Sequence, residues 1–215
     1  MVAPMLSGGK VIGLFNIESD AKRTYRQVDL ELLEMFAAQA SVSIDRARLY
    51  EEQQVKKEIE RELRIARTVQ QFFIPKQSRK VGPYTLTGRN YPSLELSGDY
   101  FDFFPLKDPF VAFAIADVAG KGVPASIIMS SFRSVLHTAA PYYTLARDIA
   151  QRANEILLET VRPHDFVTAF FGVLNSETGE VTYCNAGHNP AVLMKGDGSH
   201  ELLETGGPVL GVFDS

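Results

Sequence analysis

The sequence predicts an α+β protein in which three kinds of hydrophobic period follow one another. Apolar residues alternate over the first 19 positions, recur at helical spacing from Gln27 to Phe73 without a glycine or proline, and then fall into short runs punctuated by proline, glycine and aspartate. In the last region strands, two helices and an antiparallel meander succeed one another, the order of a β-sandwich flanked by helices. With 215 residues and 45% hydrophobic composition the chain can bury a sizeable core.

The opening segment, MVAPMLSGGKVIGLFNIES, reads as a hairpin turning at Ser7-Gly8-Gly9, with Val11 to Ile17 as its second strand. A hairpin alone is marginal, so it is expected to be the tail of a larger sheet domain. In the long helical segment the stripe comprises Val28, Leu32, Met35, Phe36, Val42, Ile44 and Leu49. After the charged run EEQQVKKEIERE it resumes at Ile59, Leu63, Ala66 and Phe73, with Gln70 interrupting and Pro75 ending the helix. A continuous helix of this length would run about 70 Å. Two readings stay open: a solvated helix face, or a linker that pairs with a second copy. The stretch from Glu52 to Lys57 is expected to be loose or hinge-like.

Beyond Pro75, PYTLTGRNYP, DYFDFFP and PFVAFAIADV are strand candidates. GVPASIIMSSFRSVLHTAA is a helix with Pro124 in its first turn. TLARDIAQRANEILLETV is another, placing Leu145, Ile149, Ala153, Ile156 and Leu157 on one side. FVTAFFGVLN, VTYCNAGHNPAVLM and HELLETG, separated by the turns SETGE and KGDGS, form the meander.

The net charge of −4 presents no basic surface for nucleic acid or membrane. The single cysteine, Cys184, excludes an internal disulfide and suits a reducing compartment. No apolar run reaches the roughly 20 residues of a bilayer span, and the N-terminus lacks a signal-peptide pattern. A cytoplasmic location is expected.

Two acids stand out chemically. Asp99 lies in the apolar run SGDYFDFF, where a buried carboxylate would need a compensating cation or donors. Asp117 ends the buried-strand pattern FVAFAIAD, eighteen residues later. If the two strands pair, both carboxylates reach one sheet edge, a donor set that hard divalent cations prefer. Gly120 and Gly122 permit a tight turn before the following helix. Asp117 could also be a turn-former, and Asp102, of opposite strand parity to Asp99, an outward-facing residue. The GKG sequence lacks the rest of a phosphate loop. Cys184 with His188 invites a thiol-nucleophile reading, against which a lone cysteine in a strand is ordinary core. His137, His164, His188 and His200 show no metal-ligand spacing.

Taken in order, ELRIARTVQQFFIP, SGDYFDFF, ADVAGKGVPAS, FVTAFFGVLNSETGEVTYCNAGHNPAVLM and GGPVLGV resemble the metal-dependent protein phosphatase family (PPM) over about residues 62 to 215. The branch is that of bacterial sporulation and stress-sigma-factor regulators. The preceding VAPMLSGGKVIGLFNIES and LELLEMFAAQASVSIDRARLYEE resemble the last strands and final helix of a GAF sensor domain.

This resemblance implies a serine/threonine phosphatase with two Mn²⁺ or Mg²⁺ ions, no covalent nucleophile and a metal-bridging water as attacking group. Carried over by motif, Asp99 is a metal ligand, Asp117 a bridging ligand and the Val118 carbonyl a third donor. Asp102, Gly120, Asn185, Gly187 and His188 would support the site or shape its rim. The partner the resemblance implies is a phosphorylated anti-sigma-factor antagonist-like protein; the heptad-spaced stripe adds a second copy of the chain through the helical linker.

Ser97-Gly98-Asp99 departs mildly from the family's Gly-Gly-Asp. The later Thr-Asp-Gly motif and final aspartate do not occur before the chain stops at LGVFDS. The expectation is therefore a chain truncated at both ends and itself inactive, with an unpaired sheet edge near residues 195–215. Its parts would be a GAF remnant (1–50), a helical linker (51–75) and an incomplete phosphatase domain (76–215). The rival reading is a non-catalytic dimeric signalling module with a degenerate phosphatase fold.

Overall fold

The computed structural model describes residues 1–20, 24–92, 94–143, 145–162 and 164–214. Thr144, where the sequence starts its last helix, and the terminal Ser215 lie outside them. The chain divides into two compact units, Met1–Glu62 and Leu63–Ser215.

In the first unit β1 (Val2–Ser7) and β2 (Lys10–Asn16) form the expected antiparallel hairpin, with a register irregularity between Met5 and Leu6. Helix α1 (Gln27–Gln70) follows. In this unit its buried positions are Leu33, Ala37 and Ser41; Leu33 and Ala37 share a core with Ala3 and the partly buried Met1, Met5 and Phe15. Ser41 is accommodated there because its hydroxyl donates to the Ala37 carbonyl at 2.8 Å.

The stripe expected from the sequence lies elsewhere: Val28, Leu32, Met35, Phe36, Val42 and Leu49 are all exposed. At 100° per residue, Val28, Met35, Val42 and Leu49 fall on the face opposite Leu33 and Ala37, so α1 has two apolar faces. The expected hinge at 52–57 is also corrected: α1 passes through it without a break. Glutamate, lysine and glutamine are good helix formers, and neither glycine nor proline interrupts them.

In the second unit β3 (Arg79–Val81) and β4 (Tyr84–Leu86) make a short hairpin, less strand than PYTLTGRNYP suggested. The central sheet begins with β5 (Tyr100–Pro105) and β6 (Phe110–Val118), paired antiparallel. Helices α2 (Val123–Ala139) and α3 (Ala146–Thr160) come next. Strands β7 (Val167–Asn175) and β8 (Val181–Ala186) extend the sheet. The hairpin of β9 (Ala191–Met194) and β10 (His200–Leu203) follows, then β11 (Gly206–Gly207).

The five-stranded order is β11-β8-β7-β6-β5, antiparallel except for β11 on β8. β11 pairs only Gly206 with Asn185 and Gly207 with Ala186, so among the described residues Val181 to Cys184 of β8 have no strand partner on that side. Helices α2 and α3 pack on each other and on one face of this sheet. Met129, Phe132 and Leu136 of α2 and Ile149, Ala153 and Leu157 of α3 meet Ala112, Ala114, Ala116, Val167, Ala169 and Phe171 in a single core. The small residues of β6 let the helices approach while the larger apolar side chains come from above.

One carboxylate is buried in that core layer. Asp102 is 6% exposed and lies on the helix-covered side of β5, between Tyr100 and Phe104. Its Oδ2 accepts from the Tyr100 hydroxyl and contacts His137 Nε2, both at 2.7 Å, and its Oδ1 accepts from the Phe103 amide. Arg133 Nε stands 3.7 Å away, and His137 stacks on Phe104 at 4.0 Å between ring centroids. Burial pushes the carboxyl pKa up, but the bonds from His137, Tyr100 and Phe103 outweigh it and hold the group below its usual range.

Asp102 is thus neither outward-facing nor at the rim of a site; it ties β5 to α2. A depressed carboxyl pKa contributes stability above the unfolded value and loses it as pH falls through the folded value. Asp102→Ala should cost about 3 kcal/mol at pH 7, by leaving Tyr100, His137 and Arg133 without their acceptor. A urea midpoint measured at pH 7 and again near pH 3 checks this: the cost should shrink at the lower pH.

Candidate functional site

The register of β5 on β6 pairs Tyr100 with Ala116, so Asp99 and Asp117 occupy the next rung. Tyr100 and Ala116 point into the helix-covered core. Strand alternation therefore turns Asp99 and Asp117 to the opposite face, where both are exposed. This corrects the expectation of a buried Asp99; the buried acid of SGDYFDFF is Asp102. The two carboxyl groups lie within hydrogen-bonding reach of each other, and the Asp117 pKa is raised, first by partial burial and then by the neighbouring Asp99 charge.

They line a cleft of about 270 Å³ together with His188, Arg89, Asn90 and Tyr91. Among the described residues neither aspartate is ion-paired with a lysine or arginine.

Asp99 is held from behind. Its amide donates to Ser97 Oγ at 3.0 Å, and Asn90 Nδ2 donates to its carbonyl at 3.3 Å. Ser97 is in turn clamped by the buried Gln70: Gln70 Nε2 donates to the Ser97 carbonyl at 2.8 Å, and the Ser97 amide donates to Gln70 Oε1 at 3.2 Å. Gln70 thus interrupts the apolar stripe because its amide satisfies both main-chain groups of Ser97. Gly98 fits where a Cβ would come within 3.0 Å of the Val118 carbonyl oxygen and 3.2 Å of Ala125. That contact brings the Val118 carbonyl beside the aspartate loop.

Across the cleft, Asn185 is buried and grips the following turn: His188 N donates to Asn185 Oδ1 at 2.8 Å and Asn185 Nδ2 donates to the His188 carbonyl at 3.0 Å. Gly187 has φ +65° and a Cβ there would meet Val209 at 2.6 Å, so only glycine completes the turn. The ring Nδ1 of His188 lies 2.9 Å from Thr168 Oγ1, whose hydroxyl also reaches the Asp117 carbonyl at 3.3 Å. Burial lowers the His188 pKa more than Asp117 and Asp99 raise it, which favours the neutral ring.

Gly120 adopts φ +103° in the exposed loop before α2. Cys184 lies outside the carboxylate cleft, facing a separate cavity, and burial pushes its thiol pKa up, which removes the thiol-nucleophile reading. Arg89 was missed by the sequence reading. Its only signal was a cation inside the strand-like PYTLTGRNYP, with nothing to say that it would line the same cleft as two acids.

The donor set fits a hard divalent cation: two carboxylates facing each other, with no lysine or arginine ion pair among the described residues, beside a main-chain carbonyl. Among the described residues no third His, Cys, Asp or Glu joins them as a metal-binding group.

Comparison with known proteins decides the family. Residues 107–215 match Stage II sporulation protein E (SpoIIE), and residues 1–44 match the GAF domain. The chain belongs to the SpoIIE family. Among its relatives is phosphoserine phosphatase RsbU of Bacillus subtilis, 29% identical over 74% of this chain and 47% of RsbU. The chain spans less than half the length of the curated relatives it matches.

Among solved structures, the SiaA-PP2C domain of Pseudomonas aeruginosa aligns with TM-score 0.58 at 13% identity, over 73% of this chain and 64% of that one. RsbX in complex with magnesium aligns with TM-score 0.52 at 19% identity, over 65% of this chain and 68% of that one. At such identities these likenesses show the fold, an α+β fold of the PP2C type.

In this SpoIIE-family chain the paired acids carry a stability cost. A carboxyl pKa raised above its unfolded value means that the folded state loses stability as pH rises through that window. Asp117→Asn should therefore keep or raise the thermal midpoint of the metal-free protein at pH 7, measured by calorimetry with chelator present.

Proposed function

We propose that this chain carries the core of a metal-dependent serine/threonine protein phosphatase. It would hydrolyse phosphoserine or phosphothreonine on a small anti-sigma-factor antagonist-like protein. The observation that carries this reading is the Asp99–Asp117 pair, turned to one cleft by strand parity and, among the described residues, without a lysine or arginine ion pair. RsbU is named a phosphoserine phosphatase, and RsbX was crystallised with magnesium; both support the same reading here.

Asp99 and Asp117 would hold Mn²⁺ or Mg²⁺, with the Val118 carbonyl as a further oxygen. When bound, such ions supply Lewis-acid chemistry toward phosphoryl oxygens and lower the pKa of a water. Hydrolysis forms a bond from water oxygen to phosphorus and breaks the phosphorus–oxygen bond to serine, which leaves with a proton. Arg89 is the guanidinium lining the cleft and suits the non-reacting phosphoryl oxygens. With Nδ1 of His188 engaged by Thr168, Nε2 is the ring nitrogen left to exchange a proton.

Residues 1–50 would be the end of a GAF sensor domain, 51–75 a linker, and 76–215 the phosphatase part. The rival, a non-catalytic signalling module, draws support from the absence of a third metal-binding side chain among the described residues. Mn²⁺-dependent hydrolysis of p-nitrophenyl phosphate by the full-length protein separates the two. Asp99→Asn and Asp117→Asn should each lower it about 100-fold or more; near-normal turnover in either variant excludes the assignment.

The exposed seven-residue repeat Val28, Met35, Val42 and Leu49 supports pairing of α1 with a second copy. Light scattering at tens of micromolar protein should give twice the chain mass of 23.8 kDa. Met35→Glu with Val42→Glu should return it to the monomer.

A further inference from the structure

Beside the carboxylate cleft lies a second one, of about 310 Å³, at the C-terminal end of α1. Arg67, Lys76 and Arg89 line it, and no acidic side chain is among its described lining residues. In a chain with 26 acidic and 22 basic residues this grouping is against the trend. Arg67 is partly engaged, with Nη1 3.2 Å from Glu95 outside the lining, and Lys76 Nζ sits 4.6 Å above the Phe72 ring. The two clefts share Arg89, Asn90 and Phe101 as a common wall. Main chain lying across one therefore leads directly into the other, and Pro75, Pro92 and Phe101 give the second cleft apolar sides against which peptide can pack.

We infer that this second cleft is a specificity subsite, taking an acidic side chain of the substrate protein a few residues from the phosphorylated serine or threonine. The inference rests on the phosphatase reading and adds to it the sequence class of the substrate. At 3.3–3.6 Å per extended residue, an acid two or three positions from the phosphoresidue reaches about 7–10 Å, the scale of an adjoining cleft. Cations at an open site act mainly on selection and are screened by salt, so the subsite would discriminate among substrates instead of supplying bulk affinity.

The test uses the full chain and three fluorescein-labelled phosphoserine peptides. One carries two glutamates on the N-terminal side of the phosphoserine, one carries them on the C-terminal side, and one has glutamine at all four positions. By fluorescence anisotropy at 50 mM salt one acidic peptide should bind about fivefold more tightly than the glutamine peptide, the upper range for exposed charge pairs. The advantage should shrink at 200 mM salt and disappear in an Arg67→Gln, Lys76→Gln variant with unchanged circular dichroism. Equal binding of all three peptides by the unmodified chain overturns the subsite, with no variant needed. Turnover of p-nitrophenyl phosphate by the full-length protein is read in parallel. Turnover without flank preference removes the subsite and leaves the phosphatase reading; preference without turnover removes the phosphatase reading and with it the subsite's role in substrate selection, leaving only a cleft that binds acidic peptide.

Discussion

Strand parity at the β5–β6 pair is the constraint from which the site follows. With Tyr100 opposite Ala116, every odd position of β5 faces away from the helices and every even one faces them. Asp99 and Asp117 are thereby delivered to the same open face, and Asp102 to the buried one. A one-residue slip of β5 would turn Asp99 into the core, away from Asp117 on β6, and expose the acid that Tyr100 and His137 are arranged to receive. The apolar residues of β6, alternating into the core as Ala112, Ala114 and Ala116, fix the register against that slip.

Two like charges at one rung repel, so the scaffold must hold them together by means other than their own interaction. The bonds from Gln70 to Ser97, from Asn185 to the His188 turn and from Thr168 to both His188 and the Asp117 carbonyl do this. The Gln70 and Asn185 bonds satisfy main-chain groups within a buried or half-buried layer, where an unmade hydrogen bond costs about 1–3 kcal/mol. The geometry of the acids is thus fixed by neutral amides and a hydroxyl, leaving the carboxylate oxygens free for a cation.

Much of this was legible in the residues. Asp99 and Asp117 each broke an apolar strand pattern, and glycine at 120 and 122 marked where the backbone bends or approaches closely. The side of Asp102 was not legible, because parity separates it from Asp99 without saying which of the two faces the core; that depends on where α2 lands. Gln70 looked like a flaw in a stripe, since its partner Ser97 is 27 residues away. On α1, Leu32 and Leu33 are equally apolar, and only the hairpin that packs against Leu33 and Ala37 decides which face is covered. Arg89 depended on a loop whose path no periodicity encodes.

Asp102 and Asp117 differ in the sign of what they do to stability, and this separates structure from chemistry. The Asp102 carboxylate is favoured in the folded state, so the second unit gains from it as pH rises from the depressed folded value to the ordinary carboxylate value and keeps that gain above it. The Asp117 carboxylate is disfavoured, first by burial and then by Asp99, so without a cation a rise in pH from the ordinary carboxylate value through its raised folded value works against the fold. A group that lowers stability in the apo state while a compensated acid lies three residues from its partner is an expected cost of a binding site, since strain of this kind is relieved when ligand arrives. The buried acid, with every oxygen already engaged, has nothing left to offer a ligand; the exposed pair has.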